Sequence, residues 1–267
     1  MSKAGVRRVL IGIAVGSLLA YLTFAAAIYF TQRSMIYPAP QPSAIVPDGY
    51  QRVALKTADG LTLAALYRPP DGAKRVLVFF HGNGDGWGGA ALANRLLAEA
   101  GYGVLLTEYR GYGANPGQPH EAGFYADGRA ALAWLEAAGV GPERIVLIGN
   151  SIGSGPATQL ASEIQPAGLI LISGFTSLPD VVAAKLPWLP ARWLVRDTYD
   201  NRAKLAAIKV PILLLHGTQD RLIPVAMAQA LHAANPAARL VLVPGFGHEL
   251  AYQNAAQQIE LDWLGRL

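Results

Sequence analysis

The sequence contains no cysteine. A disulfide framework, a thiolate nucleophile and a cysteine-ligated metal are thereby excluded, and the compartment stays open. Internal repeats and low-complexity tracts are missing as well, apart from a general enrichment in alanine. Acidic residues are scarce at one end: none precedes Asp48. The formal net charge is +4, yet setting aside Lys3, Arg7, Arg8 and Arg33 leaves 18 basic residues against 18 acidic ones. The body of the chain is neutral, so no nucleic-acid partner is indicated.

What remains is 267 residues, 52% of them hydrophobic, enough to bury one substantial core. Val9 to Phe30 is uncharged, and as a helix such a run would be roughly 33 Å long, enough to cross a hydrocarbon layer. Lys3, Arg7 and Arg8 precede it and only Arg33 closely follows. The positive-inside rule then puts the amino terminus in the cytoplasm and the rest on the outer, periplasmic or extracytoplasmic side. A secretory signal has similar features, with Ala25-Ala26-Ala27 as a cleavage site and the remainder secreted. The apolar run continues past that site through Ile28, Tyr29 and Phe30, which favours an uncleaved anchor. Residues 1–33 therefore read as the anchor, 34–50 as a proline-rich linker and 51–267 as the folded domain.

Arg52 to Lys56 and Leu61 to Arg68 alternate in polarity and are joined by Ala58-Asp59-Gly60, the pattern of a hairpin. From Arg75 the pattern changes. Val76 to Phe80, Gly103 to Thr107, Ile145 to Ile148, Leu169 to Ile172, Ile212 to Leu215 and Leu240 to Val243 are continuous apolar runs, as strands buried on both faces require. Helical stretches lie between them, at Ala90 to Ala100, Phe124 to Ala138, Val225 to Ala234 and Ala251 to Leu264. The alternation predicts an α/β fold: a mostly parallel sheet of about eight strands flanked by helices. Ligands of such a sheet bind beyond the carboxyl ends of its strands.

The strand ends carry the chemistry. Gly149-Asn150-Ser151-Ile152-Gly153 has the Gly-x-Ser-x-Gly pattern of a nucleophile elbow, in which a serine rides a sharp strand-to-helix turn and the glycines relieve crowding. A glycine-rich turn of this kind could equally cradle a phosphate or permit tight packing. The loop His81-Gly82-Asn83-Gly84-Asp85-Gly86 can bring the Asn83 amide beside that of Ile152, forming an oxyanion hole. Asp220 follows a buried run, where it could cap the helix from Val225 or orient a histidine. Among five histidines, His81 and His216 precede glycines and read as loop anchors. His120 sits beside a helix start and His232 on a helical face, and His248 alone lies in a glycine-flexed loop after the last strand. Arg110 reads as structural, pairing with Glu121 or Asp127. Residues 179–196 read as a short lid or as an ordinary amphipathic helix. Phe175, Leu178, Trp188 and Trp193 are the expected pocket and lid side chains. Ser151, Asp220 and His248 stand in the chain order of α/β-hydrolases.

With His81-Gly82-Asn83-Gly84, Tyr109-Arg110-Gly111-Tyr112-Gly113, Gly149-Asn150-Ser151-Ile152-Gly153, His216-Gly217-Thr218-Gln219-Asp220 and Gly247-His248, the sequence resembles the α/β-hydrolase superfamily. Within it, the likeness is to the membrane-anchored Bem46-like group with its ABHD13 and ABHD17 types. Arg33-Ser34-Met35-Ile36-Tyr37-Pro38 looks like that group's entry to the domain. Glu108 stands where an aspartate is usual, Asn115 where a serine is usual, and Asn150 where a basic residue often precedes the nucleophile. The resemblance implies a serine hydrolase with Ser151, His248 and Asp220 as catalytic residues, acting on an ester or thioester of acyl or lipid-like character. It implies no organic cofactor and no metal. An amide substrate on the same triad, or a silent scaffold that kept the fold, are the alternatives.

Overall fold

Among the described residues, eight strands form one sheet: β1 (Gln51–Lys56), β2 (Thr62–Arg68), β3 (Val76–Phe80), β4 (Gly103–Leu106), β5 (Ile145–Asn150), β6 (Gly168–Ile172), β7 (Ile212–Gly217) and β8 (Arg239–Val243). The computed structural model describes residues 2–40 and 45–267. Spatial order is β1-β2-β4-β3-β5-β6-β7-β8. All neighbours from β4 to β8 are parallel, and β2 runs against both β1 and β4. This is the α/β-hydrolase fold, with the expected hairpin at its edge.

Alternate residues of the apolar runs feed two cores. Val76, Val78, Phe80, Leu147 and Leu171 face one side, and Leu77, Phe79, Val146, Ile148 and Ile170 the other. The first core is covered by α4 (Glu121–Ala137), α5 (Ser154–Glu163) and α9 (Val225–Ala234), the second by α2 (Trp87–Ala93), α3 (Arg95–Glu99) and α10 (Asn254–Leu264). Because helices cover both faces, these strands read as unbroken hydrophobic runs rather than alternating ones. The chain leaves β3 for β4 on one side and β5 for β6 on the other. A crevice therefore opens between the carboxyl ends of β3 and β5, where sheets of this type place their ligands.

Helix α1 (Lys3–Ile36) is long and apolar enough to cross a membrane, and its most apolar stretch is almost wholly exposed. It runs through Ile36, so the first three residues expected in the linker are helical. Met1 of the expected anchor and residues 41–44 of the expected linker lie outside the described residues. The exit of α1 is fastened to the domain. Arg33 donates to both carboxylate oxygens of Asp197 at 3.0 and 2.9 Å, and the Tyr37 hydroxyl donates to the same carboxylate at 3.0 Å. Tyr37 also meets the Tyr199 hydroxyl at 2.9 Å. Gln32 bridges Leu194 and Arg196 through backbone bonds of 3.0 and 2.8 Å. The partners belong to the segment after β6, which holds three short helices: α6 (Leu178–Lys185), α7 (Ala191–Leu194) and α8 (Asn201–Leu205).

Asp197 is 3% exposed and accepts from an arginine and a tyrosine. Removing it leaves the Arg33 guanidinium without its carboxylate and the Tyr37 hydroxyl with only that of Tyr199. Because the Arg33 side chain is 38% exposed and can rehydrate, Asp197→Ala should cost about 1–3 kcal/mol. Calorimetry of the full chain in detergent should show Tm lowered by several degrees.

Candidate active site

Ser151 follows β5 with φ of 53°, a left-handed conformation that side-chain-bearing residues rarely adopt. The flanking glycines are explained by distance rather than composition. A methyl group on Gly149 would come within 2.5 Å of the Gly153 carbonyl oxygen, and one on Gly153 would overlap the Phe80 carbonyl at the end of β3. Ser154 donates to the Ser151 carbonyl at 2.6 Å, and Asn201 donates to Ser154 Oγ at 3.0 Å and to the Phe175 carbonyl at 3.1 Å. These two braces escaped sequence reasoning. Ser154 is a small polar residue at a helix start, and Asn201 lies 47 residues downstream of it.

Asp220 and His248 are brought to Ser151 from β7 and β8. His248 Nε2 lies 3.0 Å from Ser151 Oγ, and His248 Nδ1 lies 2.8 Å from Asp220 Oδ2. A carboxylate accepts only, so Nδ1 carries the proton and Nε2 is left to accept from the hydroxyl. The other carboxylate oxygen of Asp220 takes the amides of Leu222 and Ile223, each at 2.8 Å. Asp220 thus holds its own loop and faces the imidazole, but it does not cap the helix from Val225, whose N-cap position is Pro224 without a side-chain bond. Burial pushes its carboxyl upward, but the bonds from His248, Ile223 and Leu222 outweigh this and hold it below the usual range. Neighbouring His216 donates to the Ile223 carbonyl at 2.9 Å, and burial keeps its imidazole below the ordinary value, hence neutral. The His248 loop presses against β7 closely enough that a side chain on Gly217 would overlap the Phe246 carbonyl.

The loop after β3 lies on the other side of Ser151. A methyl group on Gly82 would stand 3.7 Å from Ser151 Cβ and 3.1 Å from Asn150 Nδ2. Asn83, the expected amide donor, is therefore next to the residue that touches the serine, and Ile152 follows the serine directly. Tyr112 donates to the Asn83 side chain at 2.6 Å, Asn83 donates to the Ile36 carbonyl at the end of α1, and Tyr252 donates to Asp85 at 2.8 Å. Beneath the loop, His81 is fully buried. Its Nδ1 faces the Gly82 carbonyl at 2.8 Å and its Nε2 faces Glu108 at 3.0 Å. Both ring nitrogens meet acceptors, so both hold protons. Burial works against that charge, yet the bond to Glu108 prevails and the imidazole titrates above its ordinary value.

The departures from the family pattern also find places. Glu108 is the partner of His81. Asn115 bonds both polar groups of the Ala64 backbone and the Glu108 carbonyl. Arg110 pairs with Asp127, as one expected alternative had it, and with Asp59, while Glu121 bonds Thr198 and Tyr125 instead. The expected pocket residues divide. Phe175 and Leu178 are core side chains. Trp188 leans on Phe24 of α1 with ring centres 5.8 Å apart, and Trp193 is 86% exposed. Trp188 thus rests against α1, while Trp193 lies open on the surface. Among the described residues, no group of three or more His, Asp or Glu converges as metal ligands would.

The sequence matches the family model described as "alpha/beta hydrolase fold" over residues 75–194, and one described as "Serine aminopeptidase, S33" over residues 191–254. An uncharacterized protein of Mycobacterium tuberculosis, Rv2307c, is 40% identical over 83% of this chain and 82% of its own length. The human alpha/beta hydrolase domain-containing protein 17B is 31% identical over 72% of this chain and 66% of its own. Protein bem46 of Schizosaccharomyces pombe is 29% identical over 79% and 77%. The esterase Pf2001 of Pyrococcus furiosus superposes with a TM-score of 0.66 over 86% of this chain and 96% of that one, at 21% identity.

A histidine whose folded-state titration point is raised adds stability that is fully present below its unfolded value, about 6.5, and lost as pH rises through the higher folded value. The His81–Glu108 pair should therefore make wild-type stability decline as pH rises above about 6.5. Glu108→Gln removes the carboxylate and should flatten this dependence, as denaturant unfolding between about pH 5 and pH 9 will measure.

Proposed function

The chain belongs to the α/β-hydrolase superfamily, in its Bem46-like group, and from that premise we propose that it is a serine hydrolase cleaving a carboxylic ester or thioester. One observation carries the reading: the unbroken relay from Ser151 Oγ through the His248 ring to Asp220, with steps of 3.0 and 2.8 Å, in the crevice of the sheet. His248 Nε2 takes the hydroxyl proton as Ser151 Oγ bonds to the acyl carbon, and Asp220 stabilises the imidazolium so formed. The carbonyl electron pair moves onto oxygen, toward the amides of Ile152 and Asn83. When the tetrahedral centre collapses, the alcohol or thiol leaves with the proton held by His248. Water then repeats the sequence on the acyl-enzyme and frees the acid. His248 is 29% exposed at its side chain, so water and a leaving group can reach it.

An ester or thioester suits the site because its leaving alcohol or thiol depends less on protonation than the amine of an amide does. An acyl or lipid-like substrate suits a domain tethered by α1, which we place across the membrane through Val9 to Phe30, amino terminus in the cytoplasm. The match of residues 191–254 to the serine aminopeptidase model favours a second reading, hydrolysis of an amide by the same groups.

Ser151→Ala should abolish covalent capture by a fluorophosphonate probe and lower hydrolysis of a chromogenic short-chain ester by at least about a thousandfold, with folding retained. Asp220→Asn should lower kcat by roughly 10³–10⁴ through loss of the required tautomer. A panel of esters, thioesters and peptide amides decides between the two substrate classes. Wild-type ester turnover by Ser151→Ala would rule the proposal out.

A further inference from the structure

The apolar face of α1 does not end where the helix would leave a membrane. It continues sideways onto the segment between α6 and α7. The Tyr21 hydroxyl reaches the Trp188 carbonyl at 3.4 Å, and the Trp188 ring lies 5.8 Å from that of Phe24. Leu186, Trp188 and Trp193 are 36%, 52% and 86% exposed, and Phe30 and Met35 on the adjoining helix 78% and 66%. Ile28 and Met35 share an apolar groove of about 110 Å³ with Leu186, Leu189 and Val195.

The level of these contacts along α1 decides what covers the patch. Tyr21 and Phe24 precede Phe30 by nine and six residues, which at 1.5 Å per residue is about 13 and 9 Å along the axis. If Val9 to Phe30 occupies the hydrocarbon layer, Trp188 cannot be in water beside it. We propose that residues 186–193 are immersed in the outer leaflet alongside the anchor, with acyl chains covering Leu186, Trp188 and Trp193. This rests on the membrane-spanning reading of α1. Trp188 at this level lies deeper than the interface where tryptophan is commonest, and its carbonyl is met there by the Tyr21 hydroxyl. Nearer the outer end of the anchor, Arg196 lies over the Tyr29 ring at 5.6 Å and can extend toward lipid phosphates, while Arg192, 80% exposed, stands 3.8 Å from Asp180. Continuity with α1 selects lipid over a soluble partner, since any protein seated on Trp188 would also have to displace lipid from the helix.

The full chain, reconstituted in phosphatidylcholine vesicles brominated on the acyl chains, tests this by tryptophan fluorescence. Subtracting the spectrum of the Trp188→Phe/Trp193→Phe double variant isolates the two side chains from Trp87, Trp134 and Trp263. Their emission should be about twofold or more weaker than in unbrominated vesicles. A Phe24→Trp substitution in the double variant reports on the anchor itself. Quenching there with none at Trp188 and Trp193, as a covering second copy of the chain would produce, overturns the immersion while leaving the anchor intact. No quenching at either position overturns both.

Discussion

The turn that carries Ser151 leaves no room between itself and the end of β3. Gly153 lies so close to the Phe80 and His81 carbonyls that a single methyl group cannot be accommodated, and the rest of the site follows from that approach. The elbow can fit only where connections diverge and the crevice opens. Fitting there obliges Ser151 into its left-handed backbone and Gly149 to surrender its side chain. Strain of this kind costs about 1–3 kcal/mol and persists only where the surroundings over-determine it. The surroundings here are β5 hydrogen-bonded between β3 and β6, and Ser154 and Asn201 closing the turn from the far side.

The same close approach explains why buried charge is tolerated beneath the site. The loop from His81 to Gly86 has to stay beside the serine without the help of a strand ladder, since β3 ends at Phe80. The ring of His81 holds it from below against Glu108, Tyr109 donates to the His81 carbonyl at 2.9 Å, and Tyr112 ties down Asn83. A buried ion pair contributes little net stability once desolvation is counted. Its consequence is positional, because each partner accepts only the geometry that satisfies the other. Asp220 obeys the same logic at β7, where two backbone amides and one imidazole fix the carboxylate in both orientation and charge.

Much of this was legible in the residues. The apolar runs gave the parallel strands because burial on both faces leaves that trace, and Ser151, Asp220 and His248 stood at strand ends where loop glycines marked the turns. His81, His216 and Arg110 could be read as structural, although Arg110 takes Asp59 as well as Asp127. The second carboxylate lies in the hairpin turn after β1, and no local pattern connects the two. Ser154 and Asn201 were illegible for the same reason: a small polar residue in a helix start announces nothing until its distant partner is placed. Trp188 and Trp193 were misleading as pocket residues because hydrophobicity states that a side chain wants cover, but not which surface supplies it.

That last point bears on what α1 is. A tether would need only length and apolarity, and the seven residues after Val9 to Phe30 would be free to vary. Here Gln32, Arg33, Ile36 and Tyr37 are held by the domain. Arg33 and Tyr37 share Asp197, Tyr37 meets Tyr199, and the Tyr199 ring packs where a side chain on Gly155 would otherwise lie. Gly155 is four residues from Ser151, the proposed nucleophile. On the other flank, the Ile36 carbonyl accepts from Asn83, whose own amide is the proposed oxyanion donor. The end of the helix therefore touches both walls of the crevice. On the proposed membrane-spanning reading of α1, a bilayer that fixes the tilt of the helix would also fix the bearing of Ser151 toward the leaflet, because the helix end is bonded to the elements that hold the crevice.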